Sequence, residues 1–361
     1  MTSDSDGDRT DALVDAVRAA SSTATPLRIV GGDTKRFYGR HVDGQVFDVS
    51  GHSGVTNYDP AELVVTARAG TRLAEVEALL ARHGQWLPFE PPAFGDRATI
   101  GGTVAAGLAG PARAARGPVR DYVLGARLLT GDGRVLRFGG EVMKNVAGYD
   151  VSRLLAGSLG VLGVILDVSL KVLPRPAAAL TLRRSIEAQQ ALGLIAGCAR
   201  RALPLTASFW CAGELSLRFE GAPAALDVIE ATAGGDRLAQ SEATTFWMNV
   251  REQRLPFFRD APGHLWRDWA AVDAPLPGVP AHRFAFEWNG MQRWTIGKDT
   301  DVQPPVDTPD MIRTLFRSAP GTATREVFAS LPEPLLNLHR AIRRVFDPAG
   351  ILNPGRMYAT L

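Results

Sequence analysis

Three glycines spaced three residues apart place the strongest constraint on the fold of residues 144–174. Gly157, Gly160 and Gly163 stand between an apolar helical pattern and a run rich in β-branched residues. Because glycine has no Cβ, its backbone can approach another surface closely. The pattern predicts a turn followed by a strand over residues 164–172. Two interpretations remain open: a Gly-rich helix-to-strand turn of an ordinary core, and a backbone surface that contacts a flat ligand.

Length and composition indicate a soluble globular protein. The 361 residues suffice for two domains, or for one large domain with an insertion. The hydrophobic share of 45% and the charged share of 22% are ordinary for this class. With 40 basic and 38 acidic residues, nothing suggests nucleic acid or an acidic membrane as a partner.

The cysteines, the first residues and the apolar stretches argue against an iron–sulfur protein, a secreted protein and a membrane-spanning protein. Cys198 and Cys211 cannot supply the four thiolates of an iron–sulfur cluster, and we expect both to be buried in a reducing compartment. The polar, acidic first ten residues do not have the pattern of a signal peptide. No apolar stretch reaches the roughly 20 residues of a membrane span. We therefore expect a cytoplasmic protein, at the inner membrane only through partner subunits.

Two loops rich in small residues are candidate binding elements. Residues 26–30 predict a short strand that runs into Gly-Gly-Asp-Thr-Lys at 31–35, a plausible anion nest of backbone N–H groups, although most such turns only reverse the chain. Residues 99–110 have hardly any large side chain, so they could lie against a planar ligand or pack on neighbouring backbone. Neither a G-x-G-x-x-G fingerprint after a strand nor a Walker A loop is present.

The periodicity predicts several regular elements around these loops. A helix over residues 11–20 would be capped by Asp11, and one over 71–83 by Thr71. Gly131-Asp132-Gly133 would join two strands in a hairpin. A last helix is predicted over residues 333–346, with an apolar side that should pack on a domain. That side consists of Leu335, Leu338, Ile342, Val345 and Phe346.

Five blocks in a fixed order carry a family resemblance. They are GGDTKRFYG at 31–39, TIGGTVAAGLAG at 99–110, RDYVLGARLLTGDGRVLRFGG at 120–140, residues 144–174, and FDPAGILNPGRMY at 346–358. In this order they are similar to the FAD-binding fold of the vanillyl-alcohol oxidase and p-cresol methylhydroxylase (PCMH) superfamily. Within it, the chain most resembles the FAD-binding subunits of glycolate oxidase.

The resemblance implies an α+β fold with FAD as cofactor. Residues 1–174 would form a PCMH-type FAD-binding domain of two α+β subdomains, and residues 175–320 an antiparallel α+β cap on the substrate side. Residues 321–361 would be a C-terminal helix and tail that return to the FAD domain, where Arg356 would neutralise charge or cap the fold. The residues that the family pattern assigns to FAD are Val30, Gly31, Gly32, Asp33, Thr34, Lys35, Ile100, Gly101, Gly102, Thr103, Gly107, Gly163, Val164 and Ile165.

Three departures from the family pattern affect the expected chemistry. No histidine lies in residues 31–35, so we predict non-covalent FAD. Leu159 stands where relatives that oxidise D-lactate or glycolate usually have glutamate. The cap has no H-x-x-H or G-D-G-N-x-H pattern, so we predict no metal, and His264 and His282 are more simply surface or core residues.

The function implied by the resemblance is that of an FAD-dependent glycolate dehydrogenase or oxidase subunit, which converts glycolate to glyoxylate in a heteromeric complex. Electrons would pass to a second FAD-binding subunit and an iron–sulfur subunit. The sequence does not identify the catalytic base, for which Tyr149, Lys144 and His339 are candidates. The alternatives are a non-catalytic flavin-carrying or scaffolding subunit, and a stand-alone oxidase of another 2-hydroxy acid.

Overall fold

The computed structural model describes residues 7–140, 150–297, 311–322 and 326–361. The chain divides into two compact units. The first comprises Met1–Leu108, Pro118–Pro174 and Thr324–Leu361, and the second Ala109–Gly117 and Arg175–Ala323. The second unit thus includes a short segment that the sequence boundaries assign to the first domain. Among the described residues, no helix has the length and apolar character needed to cross a membrane.

The helices and strands have the following bounds within the described residues. The α-helices are α1 (Thr10–Ser22), α2 (Leu73–Arg82), α3 (Ile100–Ala106), α4 (Arg113–Arg116), α5 (Val151–Leu154), α6 (Ala188–Arg200), α7 (Pro223–Ala233), α8 (Gln240–Arg251), α9 (Pro256–Arg259) and α10 (Glu333–Phe346). The strands are β1 (Leu27–Val30), β2 (Gln45–Asp48), β3 (Val55–Asp59), β4 (Val64–Arg68), β5 (Gln85–Trp86), β6 (Val123–Leu129), β7 (Val135–Gly139), β8 (Val164–Lys171), β9 (Leu173–Pro174), β10 (Ala178–Ser185), β11 (Leu205–Cys211), β12 (Glu214–Gly221), β13 (Asp236–Arg237), β14 (His264–Ala270), β15 (Phe284–Glu287), β16 (Gln292–Gly297) and β17 (Met311–Arg317).

The first unit is built on a five-stranded antiparallel sheet with the order β3-β4-β8-β6-β7. The central strand β8 follows the glycine turn, and its first seven residues are buried, as expected of a β-branched run between two neighbours. The predicted hairpin joins β6 to β7. Strand β1 pairs in parallel with β2. The connection that contains residues 31–39 therefore has to return from the end of β1 to the start of β2.

The second unit is an eight-stranded antiparallel sheet with the order β13-β10-β12-β11-β15-β16-β14-β17. Helices α6 and α7 pack on one face of it, where Trp210, Phe219 and Phe286 are almost fully buried. This antiparallel sheet with separate helices confirms the α+β prediction.

Two helix caps differ from the prediction. Helix α1 begins one residue before Asp11, and the Asp8 carboxylate accepts the Thr10 N–H at 2.9 Å. Before α2, the Thr71 hydroxyl is engaged elsewhere, because it accepts the Gly54 N–H at 2.9 Å and donates to backbone carbonyls. A tertiary contact thus takes the Thr71 hydroxyl, whereas Asp11 lies inside the first turn of α1.

The last helix has the predicted bounds but not the predicted packing. On α10, Phe346 is buried, whereas Leu335, Leu338 and Val345 are 41%, 54% and 63% exposed. The side of the helix that packs is rotated from its apolar stripe. The expectation that this stripe packs on a domain of the same chain is therefore wrong for Leu335, Leu338 and Val345, whereas Ile342 is half-buried and Phe346 is buried.

Candidate cofactor site

A groove in the first unit is lined by segments that lie far apart in the sequence. They come from residues 28–36 at the end of β1 and in the following loop, from residues 99–106 in and before α3, and from residues 159–165 in the glycine turn. With its open side included, the groove has a volume of about 900 Å³. The predicted FAD residues that line it are Val30, Gly31, Gly32, Asp33, Thr34, Lys35, Gly101, Gly102, Gly163, Val164 and Ile165.

Three predicted FAD residues are not part of this lining. Ile100 and Thr103 are buried in α3 with about 1% of their surface exposed. Gly107 ends α3 with φ of +64°, and a Cβ there would meet the backbone of Gly157. These three residues therefore face neighbouring protein, because a short helix presents only one side to the groove.

The structure describes only one of the three candidates for the catalytic base. Tyr149 and Lys144 lie outside the described residues. His339 is half-buried on α10 and is not among the residues that line the groove. The base therefore remains a prediction.

The loop after β1 presents backbone donors to the groove. The N–H groups of Gly31, Gly32, Asp33 and Thr34 have no hydrogen-bond acceptor within the described part of the chain. Successive free amides of this kind form an anion-binding nest. Unpaired amides in a groove wall fit a ligand that carries phosphate oxygens, such as the pyrophosphate of FAD.

The glycines of this loop are needed for packing on the segment that precedes α3. A Cβ on Gly31 would lie 2.5 Å from Thr99 Oγ1, and a Cβ on Gly32 would overlap the carbonyl group of Arg97. Thr99 itself accepts the Gly102 N–H at 3.3 Å and so caps α3. Packing on the Thr99 side chain and on the Arg97 backbone thus explains why glycine occupies both positions, while both residues still line the groove.

The glycine turn is also shaped by protein contacts. Gly163 has φ of +153°, and a Cβ there would lie 2.6 Å from the Leu128 side chain of β6. Gly160 has φ of +76°, and its Cβ would lie 2.7 Å from Asn353 Nδ2. The first interpretation, a turn inside a core, therefore accounts for the missing side chains. Both residues still expose backbone to the groove.

Asn353 connects two walls of the groove, and the sequence reasoning missed it. Its Oδ1 accepts the Ile29 N–H at 2.8 Å, and its Nδ2 donates to the Leu159 carbonyl at 2.7 Å. Asn353 is 95% buried and has φ of +42°, a region that asparagine tolerates better than most residues. The Asn-Pro-Gly-Arg run of the last block was the available signal.

Arg356 fixes the same loop from the other side. Its guanidinium donates to the carbonyls of Arg40 and Tyr38, both at 2.7 Å, and to that of Arg36 at 3.3 Å. Burial lowers the pKa of Arg356 to about 10, while Asp33 acts in the opposite direction. Of the two roles considered for this arginine, these contacts show the structural one.

Comparisons with known proteins agree with this geometry. Residues 8–139 match the FAD binding domain family, and residues 321–357 match the C-terminal domain of FAD linked oxidases. The chain also resembles the solved structure of an alkyldihydroxyacetonephosphate synthase, with a TM-score of 0.63 and 15% identity. The alignment covers 96% of this chain and 74% of that chain, so the two proteins share a fold. These matches confirm FAD as the cofactor and the PCMH-type fold.

Similarity to three named proteins identifies the family of this chain among FAD-binding proteins. The chain is 31% identical to the glycolate oxidase subunit GlcD of Bacillus subtilis over 34% of this chain and 26% of that protein. It is 31% identical to a D-lactate dehydrogenase of Archaeoglobus fulgidus over 42% of this chain and 34% of that protein. It is 46% identical to the glycolate oxidase subunit GlcE of Escherichia coli, over 98% of this chain and 99% of that protein. The chain therefore belongs to the GlcE family of FAD-binding glycolate oxidase subunits.

Proposed function

We propose that this chain is the FAD-binding subunit of a heteromeric glycolate oxidase and that it takes part in converting glycolate to glyoxylate. The observation that carries the cofactor role is the row of unpaired N–H groups at residues 31–34 in the groove wall. Glycolate is inferred as the substrate from the glycolate oxidase subunit GlcE of Escherichia coli, which is 46% identical over 98% of this chain and 99% of that protein.

Non-covalent FAD would be held by backbone more than by charge. The amides of residues 31–34 would take the pyrophosphate, and the small residues Gly101, Gly102 and Ala105 would allow a planar ring to lie close to α3. The Thr34 hydroxyl donates to the Ala93 carbonyl at 2.7 Å, and Lys35 Nζ donates to the same oxygen at 3.3 Å. These two contacts hold the loop in place so that its amides stay directed at the ligand.

The reaction removes a hydride from C2 of glycolate and a proton from its hydroxyl group, which leaves glyoxylate. Bound FAD supplies the hydride acceptor. A base of the complex has to take the proton, and Tyr149, Lys144 and His339 remain the candidates of this chain.

Partner subunits are part of the proposal. The two cysteines, Cys198 and Cys211, are fewer than the four thiolates of an iron–sulfur cluster, and burial raises the pKa of both thiols, that of Cys211 to about 12. An iron–sulfur relay would therefore belong to another chain, beside a second FAD-binding subunit of the GlcD type. Association with the inner membrane would depend on these partners.

A second candidate function is a flavin-carrying subunit that does not itself oxidise substrate. Leu159 lines the groove, and it occupies the position at which relatives that act on hydroxy acids usually have glutamate. An apolar side chain there can neither orient a hydroxyl group nor accept its proton.

One experiment tests both candidates. The chain is purified alone and with its partners, and its visible spectrum is recorded before and after anaerobic addition of glycolate. We expect a flavin spectrum in both preparations and bleaching by glycolate. A chain that never acquires flavin would refute the proposal. Bleaching of the isolated chain would exclude the flavin-carrying alternative, and turnover with a dye would favour the stand-alone oxidase.

A further inference from the structure

A carboxylate stands within the row of unpaired amides to which the proposed function assigns the pyrophosphate of FAD. Asp33 lies in this row between Gly32 and Thr34, and its side chain is 28% exposed. A negative charge at this position repels phosphate oxygens, because a groove partly shielded from water screens like charges poorly. Anion binding by this loop therefore requires a cation that offsets the Asp33 carboxylate.

The backbone conformation keeps the charge of Asp33 beside the amides. Its φ is +55°, in the left-handed region that aspartate and asparagine tolerate better than most residues. Only two bonds separate the Asp33 Cα from its carboxylate carbon, so no rotamer moves the charge far from the amide of the same residue. The repulsion therefore has to be offset in place.

Arg28 supplies the cation. Its Nη1 donates to Asp33 Oδ2 at 3.3 Å, and the two side chains are 17% and 28% exposed. Both residues line the groove. Within the part of the chain that the structure describes, Asp33 is the only ionic partner of Arg28. The pair is partly buried, so salt screens it less than it screens a pair on the open surface.

Two other arginines of the groove lining are not bonded to Asp33. Arg356 donates to the backbone carbonyls of Arg40 and Tyr38, and the Arg36 side chain is exposed. Asp33 raises the pKa of Arg356 and Arg28 lowers it, so these charges act on one another. Among the described residues, only Arg28 forms an ion pair with Asp33.

We propose that Arg28 is a positioning residue of the FAD site, which offsets the Asp33 carboxylate so that the amides of residues 31–34 can bind the pyrophosphate. The inference rests on the proposed function, because it takes the groove as the FAD site. In this role Arg28 acts on FAD through Asp33 and not by direct contact. Arg28 is therefore dispensable once residue 33 is neutral.

Titration of the full-length apoprotein with FAD at low ionic strength tests the proposal, with flavin fluorescence as the readout. Arg28→Met should raise the dissociation constant about tenfold or more, equivalent to about 1.4 kcal/mol, because the Asp33 carboxylate loses its partner. Arg28→Lys keeps the positive charge and should bind FAD close to the wild type. Asp33→Asn should bind FAD at least as tightly as the wild type, and adding Asp33→Asn to Arg28→Met should restore the affinity.

Salt dependence separates a charge effect from a structural one. The difference in FAD affinity between Arg28→Met and the wild type should narrow as sodium chloride is added, because salt screens the repulsion. Arg134→Met is the matched control. It breaks an arginine–aspartate pair of the first unit, from Arg134 Nε to Asp132 Oδ2 at 2.7 Å, and both residues lie outside the groove lining. This variant should keep the FAD affinity of the wild type.

The possible results are distinguishable. Wild-type affinity in Arg28→Met, a loss that Asp33→Asn does not reverse, or a loss that persists unchanged at high salt would each overturn the proposal. If Arg28→Met folds poorly in urea denaturation, the double variant decides, because it must bind FAD as tightly as Asp33→Asn alone. A wild-type chain that does not bind FAD would refute the proposed function, and this inference with it.

Discussion

Replacing Asn353 by glycine tests whether the C-terminal segment assembles the cofactor groove. Glycine accepts the φ of +42° found at this position, so the change removes the side-chain bonds without adding backbone strain. The bonds lost are those to the Ile29 N–H and the Leu159 carbonyl, at 2.8 and 2.7 Å. These two groups belong to two different segments that line the groove.

The expected cost follows from those two contacts. The Leu159 bond is buried, so its unpaired carbonyl should cost about 1–3 kcal/mol, and the partly buried Ile29 bond about 1 kcal/mol. We expect the free energy of unfolding to fall by about 2–4 kcal/mol. FAD would then have to hold the two walls together itself, so its dissociation constant should rise about tenfold or more, equivalent to about 1.4 kcal/mol.

Urea denaturation and FAD titration of the apoprotein measure the two quantities. Asn289→Gly is the matched control, because Asn289 also has a positive φ of 59° and a side-chain bond, from Ser208 at 3.2 Å, but belongs to the second unit. It should lose stability and keep FAD affinity. If Asn353→Gly also keeps wild-type FAD affinity while its stability falls, Asn353 does not organise the groove.

Three further changes test other parts of the structure. Gly160→Ala should reduce FAD retention more than Gly157→Ala, because both positions have positive φ but a Cβ meets other atoms only at the first; equal retention would contradict this contact. Burial would raise the pKa of Asp167, but its partners, Arg127 among them, lower this pKa. The stability that the Asp167 carboxylate adds to the fold is therefore complete above the ordinary carboxyl pKa, and it is lost as the pH falls through the lowered value. Arg127→Met should therefore flatten the dependence of unfolding free energy on pH between about pH 5 and about pH 3, and an unchanged slope would refute the assignment. Leu338→Ser should change the unfolding free energy by less than about 0.5 kcal/mol, because Leu338 is 54% exposed; a loss of several kcal/mol would show that the side chain packs.

Local patterns sufficed for much of the fold. The β-branched run after the glycine turn forms β8, the Asp-Gly signal forms the β6–β7 hairpin, and the last helix has its predicted bounds. These elements were predictable because their signals lie within a few residues of one another. The order of five sequence blocks likewise sufficed to recognise the FAD family.

Only the tertiary structure decided which atoms meet. No local signal shows that Gly163 makes room for Leu128, that Asn353 bridges two walls of the groove, or that three of the five apolar residues on one side of α10 stay exposed. Each of these contacts joins residues distant in the sequence or depends on the rotation of a helix against its neighbours. Periodicity fixes which residues share a face, but it does not fix what that face contacts, and the functional groove is formed by such contacts.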